Sequence, residues 1–169
     1  EAKIESEGQP AKPNTILDAY YDAMTLKRDD IVQHHGLLRN GAAYIDLLLD
    51  ICETYFNDRP KGMVLDMACG TGYIPDCFRS KGFAALGCDI FKTAITVAKS
   101  KYPACEFEVF NGRSPSRLGE GRFDVVHMRE FYPFTRSSDF ERQKFLILEY
   151  LKLLKVNGYL IIVGSNWCV

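Results

Sequence analysis

Val64-Leu65-Asp66-Met67-Ala68-Cys69-Gly70-Thr71-Gly72 is the stretch on which the fold of this chain turns. The apolar run Met63-Val64-Leu65 predicts a short buried strand that delivers Asp66 to its carboxyl end. Small residues then bend the chain, and a helical pattern starts at about Ile74 and continues to Ser80. Gly70 and Gly72 permit backbone angles closed to other residues and let a ligand lie against the main chain. In open α/β sheets ligands bind at the carboxyl ends of strands, so this bend is expected to floor a site.

Working outward, the alternation persists. Strands are expected at Ala84–Cys88, Glu106–Phe110, Phe123–Met128 and Tyr159–Val163. Between them the spacing predicts helices over Phe91–Lys101 and Phe140–Leu154, the latter with Phe145, Leu148, Leu151 and Leu154 facing inward. A loop rich in Gly, Ser and Pro spans Asn111–Arg122. Upstream, Ala42–Phe56 reads as a helix burying Ile45, Leu48, Leu49 and Cys52, and Thr15–Met24 carries a second helical pattern. The fold class is therefore α/β: a doubly wound, mostly parallel sheet with helices on both faces. The chain divides into a flexible lead-in over 1–14, a helical lid over 15–60 and a core over 61–169.

The bend is not a dinucleotide fingerprint. With Gly70 and Gly72 as the first two glycines of GxGxxG, the third position is Pro75; with Ala68 and Gly70 it is Tyr73. An acid leads the turn instead, and a carboxylate repels a pyrophosphate but attracts a cation. The pattern suits a cationic ligand without phosphates.

Val64 to Gly72 resembles VLDxGCGTG, the first motif of class I S-adenosylmethionine-dependent methyltransferases, with Ala68 in place of the usual first glycine. Four further segments follow in order: Gly87-Cys88-Asp89-Ile90, the polar Asn111-Gly112, Phe123-Asp124-Val125-Val126-His127-Met128, and Leu154-Lys155-Val156-Asn157-Gly158-Tyr159-Leu160-Ile161-Ile162. The resemblance covers Met63 to Gly164. It implies a Rossmann-like sheet of order 3-2-1-4-5 and S-adenosyl-L-methionine as cofactor, a ligand with an α-ammonium, a sulfonium and no phosphate. It also implies that Asp66, Ala68, Cys69, Gly70 and Gly72 line the cofactor, that Asp89 takes the ribose hydroxyls with Ile90 beside it, and that Asn111 and Gly112 meet the adenine. Met128 to Phe131 would lie at the methyl-transfer centre, and Arg39 would pair with the cofactor carboxylate. Strands six and seven of the family are missing after Val163, which implies a piece of a longer protein, with a neighbouring domain or a second copy covering strand five.

Candidate bases for a hydroxyl acceptor are His35, His127 and Glu130. The favoured reading of His127 is a packed strand residue, and that of His34-His35 a solvent-facing joint. The NPPY tetrapeptide of many N-methyltransferases is replaced by Arg129-Glu130-Phe131-Tyr132, which points to an oxygen acceptor on a small molecule or glycan sugar. A non-catalytic domain that binds cofactor or a partner is the alternative. A formal charge of -1 argues against nucleic acid as partner. No apolar run is long enough for a membrane span. The six cysteines form no CxxC pair and no zinc pattern, so free thiols, no metal and a cytoplasmic setting are expected.

Overall fold

The computed structural model describes residues 41–164. Its elements run α1 (Gly41–Phe56), β1 (Met63–Met67), α2 (Tyr73–Ser80), β2 (Ala84–Asp89), α3 (Lys92–Lys101), β3 (Glu106–Val109), a 3-10 turn (Pro115–Leu118), β4 (Phe123–Arg129), α4 (Tyr132–Thr135), α5 (Phe140–Leu153) and β5 (Leu154–Val163). The five strands form one parallel sheet in the order β3-β2-β1-β4-β5. This is the expected fold class and strand order. The central strands β1 and β4 bury nearly every residue, so they read as apolar runs rather than alternating ones.

Alternation along those strands sorts the core into two layers. Val64 and Val125 face α1 and α2, packing with Tyr44, Ile45, Leu48, Leu49, Ile74 and Phe78. Leu65, Met67, Val126 and Met128 face α5, packing with Leu146, Tyr150 and Leu153. A smaller cluster of Cys69, Ile95, Ala98 and Phe107 seats α3. Helix α1 packs as a layer on one sheet face; the rest of the expected lid and the lead-in lie outside the described residues.

The inward face of α5 differs from the sequence expectation. Leu146, Tyr150 and Leu153 are fully buried, whereas Phe145, Leu148 and Leu151 stand about half exposed. Two apolar stripes share this helix at three- and four-residue spacing. The buried one wins because Tyr150 finds a partner inside, donating its hydroxyl to the Gly112 carbonyl at 2.7 Å. Asp139 caps the helix start by accepting from the Arg142 amide at 2.9 Å. Strand β5 begins earlier than expected, at Leu154, with an irregular register beside β4. Among the described residues it has β4 as its one neighbour in the sheet, and it leaves Val156 and Ile162 exposed. At the amino end of the sheet, the Asp124 carboxylate accepts from the Met63 amide and from Lys155 Nζ, both at 2.7 Å. That ties β1, β4 and β5 together opposite the bend.

Candidate functional site

The bend between β1 and α2 folds as its residues require. Ala68, Gly70 and Gly72 all adopt positive φ, at 64°, 54° and 87°. At Gly72 glycine is demanded twice over: a Cβ there would fall 2.6 Å from the Phe107 ring and 2.8 Å from the Ala98 methyl. Gly70 differs, because a Cβ at that position would meet nothing within 4 Å. The backbone there borders open space, the condition for a ligand to lie against it. Ala68 pays for its left-handed conformation with a side chain that favours it poorly.

Asp89, at the end of β2, holds the bend in place. Its Oδ2 accepts from the Gly70 amide at 2.9 Å and its Oδ1 from the Phe91 amide at 3.0 Å. The Cys69 amide adds a bond to the Cys88 carbonyl at 3.0 Å. Burial pushes the Asp89 carboxyl above its ordinary pKa, against the pull of those two amides. Each carboxylate oxygen keeps a further lone-pair site for a hydroxyl donor. Cys69 is buried, and its thiol is pushed well up, first by burial and then by the nearby Asp66 and Asp89 carboxylates. It is no nucleophile. Both acids therefore flank one residue of the bend.

Asp66 is buried, and on the neighbouring strand its register partner is His127. The two side chains meet at 2.6 Å, Asp66 Oδ1 to His127 Nδ1. His127 Nε2 in turn lies 2.9 Å from the Tyr44 hydroxyl on α1. With no exposure and both ring nitrogens engaged, His127 takes the packed strand position that its sequence context also allowed. Tyr44, which the sequence reading passed over, sits one helical turn before Leu48 on the buried stripe.

The other expected residues divide. Ile90 is half exposed beside Asp89 at the rim. Asn111 is exposed, but its Oδ1 already accepts from the Arg113 amide at 3.1 Å. Gly112 is a packing glycine: a Cβ would press on Met67 Sδ, the Phe131 ring and the Tyr150 hydroxyl. The Met128 side chain is wholly buried and packs with Leu146, Tyr150 and Leu153 of α5. Arg129 and Glu130, half-buried, close β4 at the same sheet edge, Glu130 with a positive φ of 53°. Such a backbone in a non-glycine residue marks a segment held by its surroundings. Arg39 and His35 lie outside the described residues. Among the described residues no cluster suited to a metal ion occurs, and no helix is long and apolar enough to cross a membrane.

Comparison with known proteins adds the following. Residues 65–162 match the model of a family described as a methyltransferase domain. No curated protein matches the chain. Among solved structures, the PH0226 protein from Pyrococcus horikoshii OT3 is similar at 23% identity and a TM-score of 0.63, over 88% of this chain and 66% of that one. A SAM-dependent methyltransferase from Methanosarcina mazei is 29% identical with a TM-score of 0.57, over 69% of this chain and 58% of that one. A TehB-like SAM-dependent methyltransferase from Corynebacterium glutamicum is 18% identical with a TM-score of 0.56, over 91% of this chain and 73% of that one. The chain thus spans less than two thirds of the length of the first two.

Proposed function

Because the chain belongs to the methyltransferase domain family, we propose that it transfers a methyl group from S-adenosyl-L-methionine to a hydroxyl of a small molecule or of a glycan sugar. The observation that carries this reading is the bend itself. Open space over Gly70 lies beside two buried carboxylates, Asp66 and Asp89, with no third glycine for a pyrophosphate. These residues fit a cationic adenosyl ligand: the acids supply negative charge and the backbone lets the ligand approach.

When bound, the cofactor supplies a methyl group already activated on a sulfonium. The chain's own residues bind and orient. Asp89, fixed by the Gly70 and Phe91 amides, is placed to accept ribose hydroxyls with its remaining lone pairs. Ala68, Cys69, Gly70 and Gly72 form the floor, and Ile90 offers an apolar rim surface to the adenine. Asn111 keeps a second lone pair on Oδ1 for the adenine amino group, while Gly112 acts by letting the loop pack close. With His127 withdrawn into the core, Glu130 is the base candidate among the described residues, and it stands at the acceptor edge with Arg129. Arg129-Glu130-Phe131-Tyr132 at that edge, in place of NPPY, supports an oxygen acceptor.

The test is methyl transfer from isotopically labelled S-adenosylmethionine to a panel of hydroxylated metabolites, glycans and amines, using the full-length protein. Label on a hydroxyl supports the reading. Label confined to amines would overturn the oxygen assignment, and failure to bind S-adenosylhomocysteine at all would overturn the cofactor.

A further inference from the structure

Three buried polar groups run in line beneath the bend: Tyr44 on α1, His127 on β4 and Asp66 on β1. They join elements far apart in sequence, and each is less than a tenth exposed. A carboxylate only accepts, so the hydrogen on Nδ1 is directed to Asp66 Oδ1 at 2.6 Å. On the far side of the ring, Nε2 meets the Tyr44 hydroxyl at 2.9 Å. The rings of Phe78 and Tyr44 stand edge-on to the imidazole, with centroids 5.7 and 5.9 Å away, and hold its plane. Asp66 Oδ1 is thereby consumed inside the core.

Its second oxygen is not. Among the described residues no hydrogen bond reaches Asp66 Oδ2, although the residue is 2% exposed. A buried carboxylate oxygen without a donor is costly unless something else meets it. Asp66 stands two residues before Ala68, where the bend begins, and pairs across the sheet with Gly87, two residues before Asp89. We propose that His127 and Tyr44 are positioning residues that pin Asp66 through Oδ1 and so present Oδ2 to the α-ammonium of the cofactor's methionine moiety. The inference rests on the methyltransferase reading and adds to it two residues that touch no ligand. It also gives α1 a task, because the hydroxyl that completes the line rides on that helix. Burial pushes the Tyr44 hydroxyl up to about 12, which suits a fixed donor and not a base.

The test compares two ligands by calorimetry on the full-length protein: S-adenosylhomocysteine, which carries the ammonium, and methylthioadenosine, which lacks the amino-acid moiety. In His127→Leu the affinity for S-adenosylhomocysteine should fall about tenfold or more, the worth of a charge-assisted bond, with methylthioadenosine unchanged within about twofold. His127→Asn, which puts an amide donor where Nδ1 stood, should recover most of the loss despite packing less well than leucine. Tyr44→Phe, which opens no cavity, should weaken S-adenosylhomocysteine alone by a few-fold, and it carries the test if His127→Leu does not fold. Equal losses for both ligands, better binding by the leucine than the asparagine variant, or unchanged affinities throughout would overturn the proposal. Wild-type protein that binds methylthioadenosine and S-adenosylhomocysteine equally would overturn it too, while wild-type protein that binds neither would remove the methyltransferase reading as well.

Discussion

Replacing Asp89 with asparagine separates what this residue does for the fold from what it does for a ligand. Both carboxylate oxygens accept backbone amides, from Gly70 and Phe91. Asparagine has one acceptor oxygen, so one of those amides would face an NH2 group. The lost hydrogen bond costs about 0.5–1.5 kcal/mol net. Against it, the substitution removes a buried charge whose ionisation the fold opposes, as the raised pKa of Asp89 shows. The two effects have opposite sign, and folding stability at pH 7 should change by no more than about 1 kcal/mol. Binding has no such offset. A ribose hydroxyl donating to a carboxylate is worth about 1.5–3 kcal/mol, or about 10- to 150-fold in affinity. The sign with pH follows from linkage. A carboxyl whose folded pKa lies above its unfolded value of 3.8 detracts from stability as pH rises from that value through the folded one, and the loss is recovered on acidification. Asparagine has no such titration, so the stability of wild type relative to the variant should grow as the pH is lowered from 7 toward 4. Urea unfolding at several pH values and calorimetric titration with S-adenosylhomocysteine measure the two halves. Unchanged affinity together with a loss of about 3 kcal/mol or more in stability would refute the reasoning and make Asp89 a staple of the bend.

Three further outcomes are expected. Ala68→Gly should stabilise the fold by about 1 kcal/mol in urea unfolding, because glycine adopts the φ of 64° without the Cβ penalty. Gly72→Ala should destabilise it by more than about 2 kcal/mol, since a Cβ would stand 2.6 Å from the Phe107 ring at a φ of 87°. On α5, Leu146→Ala should cost about 2–5 kcal/mol and Leu148→Ala about 0.5 kcal/mol or less, which checks the buried face of that helix by thermal unfolding.

Much of this was readable from the chain alone, and the rest was hidden for definable reasons. The bend, the two acids and the sheet were legible because each strand ends where a run of apolar residues meets a charge or a small-residue turn, as at Leu65-Asp66 and Cys88-Asp89. The buried face of α5 was misplaced, because Phe145-Leu148-Leu151 steps by three each time and drifts round the helix, whereas Leu146-Tyr150-Leu153 steps by four and three and keeps to one face. Tyr150 also meets the Gly112 carbonyl, a contact across 38 residues. His127 could be placed on a strand but not beside Asp66, since β1 and β4 are both buried nearly throughout and show no alternation that would fix their mutual register. Tyr44 was concealed because it rides on a helix and meets His127 only through packing across 83 residues. The packing of Met67, Phe131 and Tyr150 about Gly112 was likewise invisible in the sequence.

The most direct test is the structure of the full-length protein crystallised with S-adenosylhomocysteine. The adenosyl group should lie across the Gly70 backbone with its ribose hydroxyls on Asp89 and its ammonium toward Asp66. A ligand seated elsewhere, with Asp89 remote from the ribose, would contradict the account.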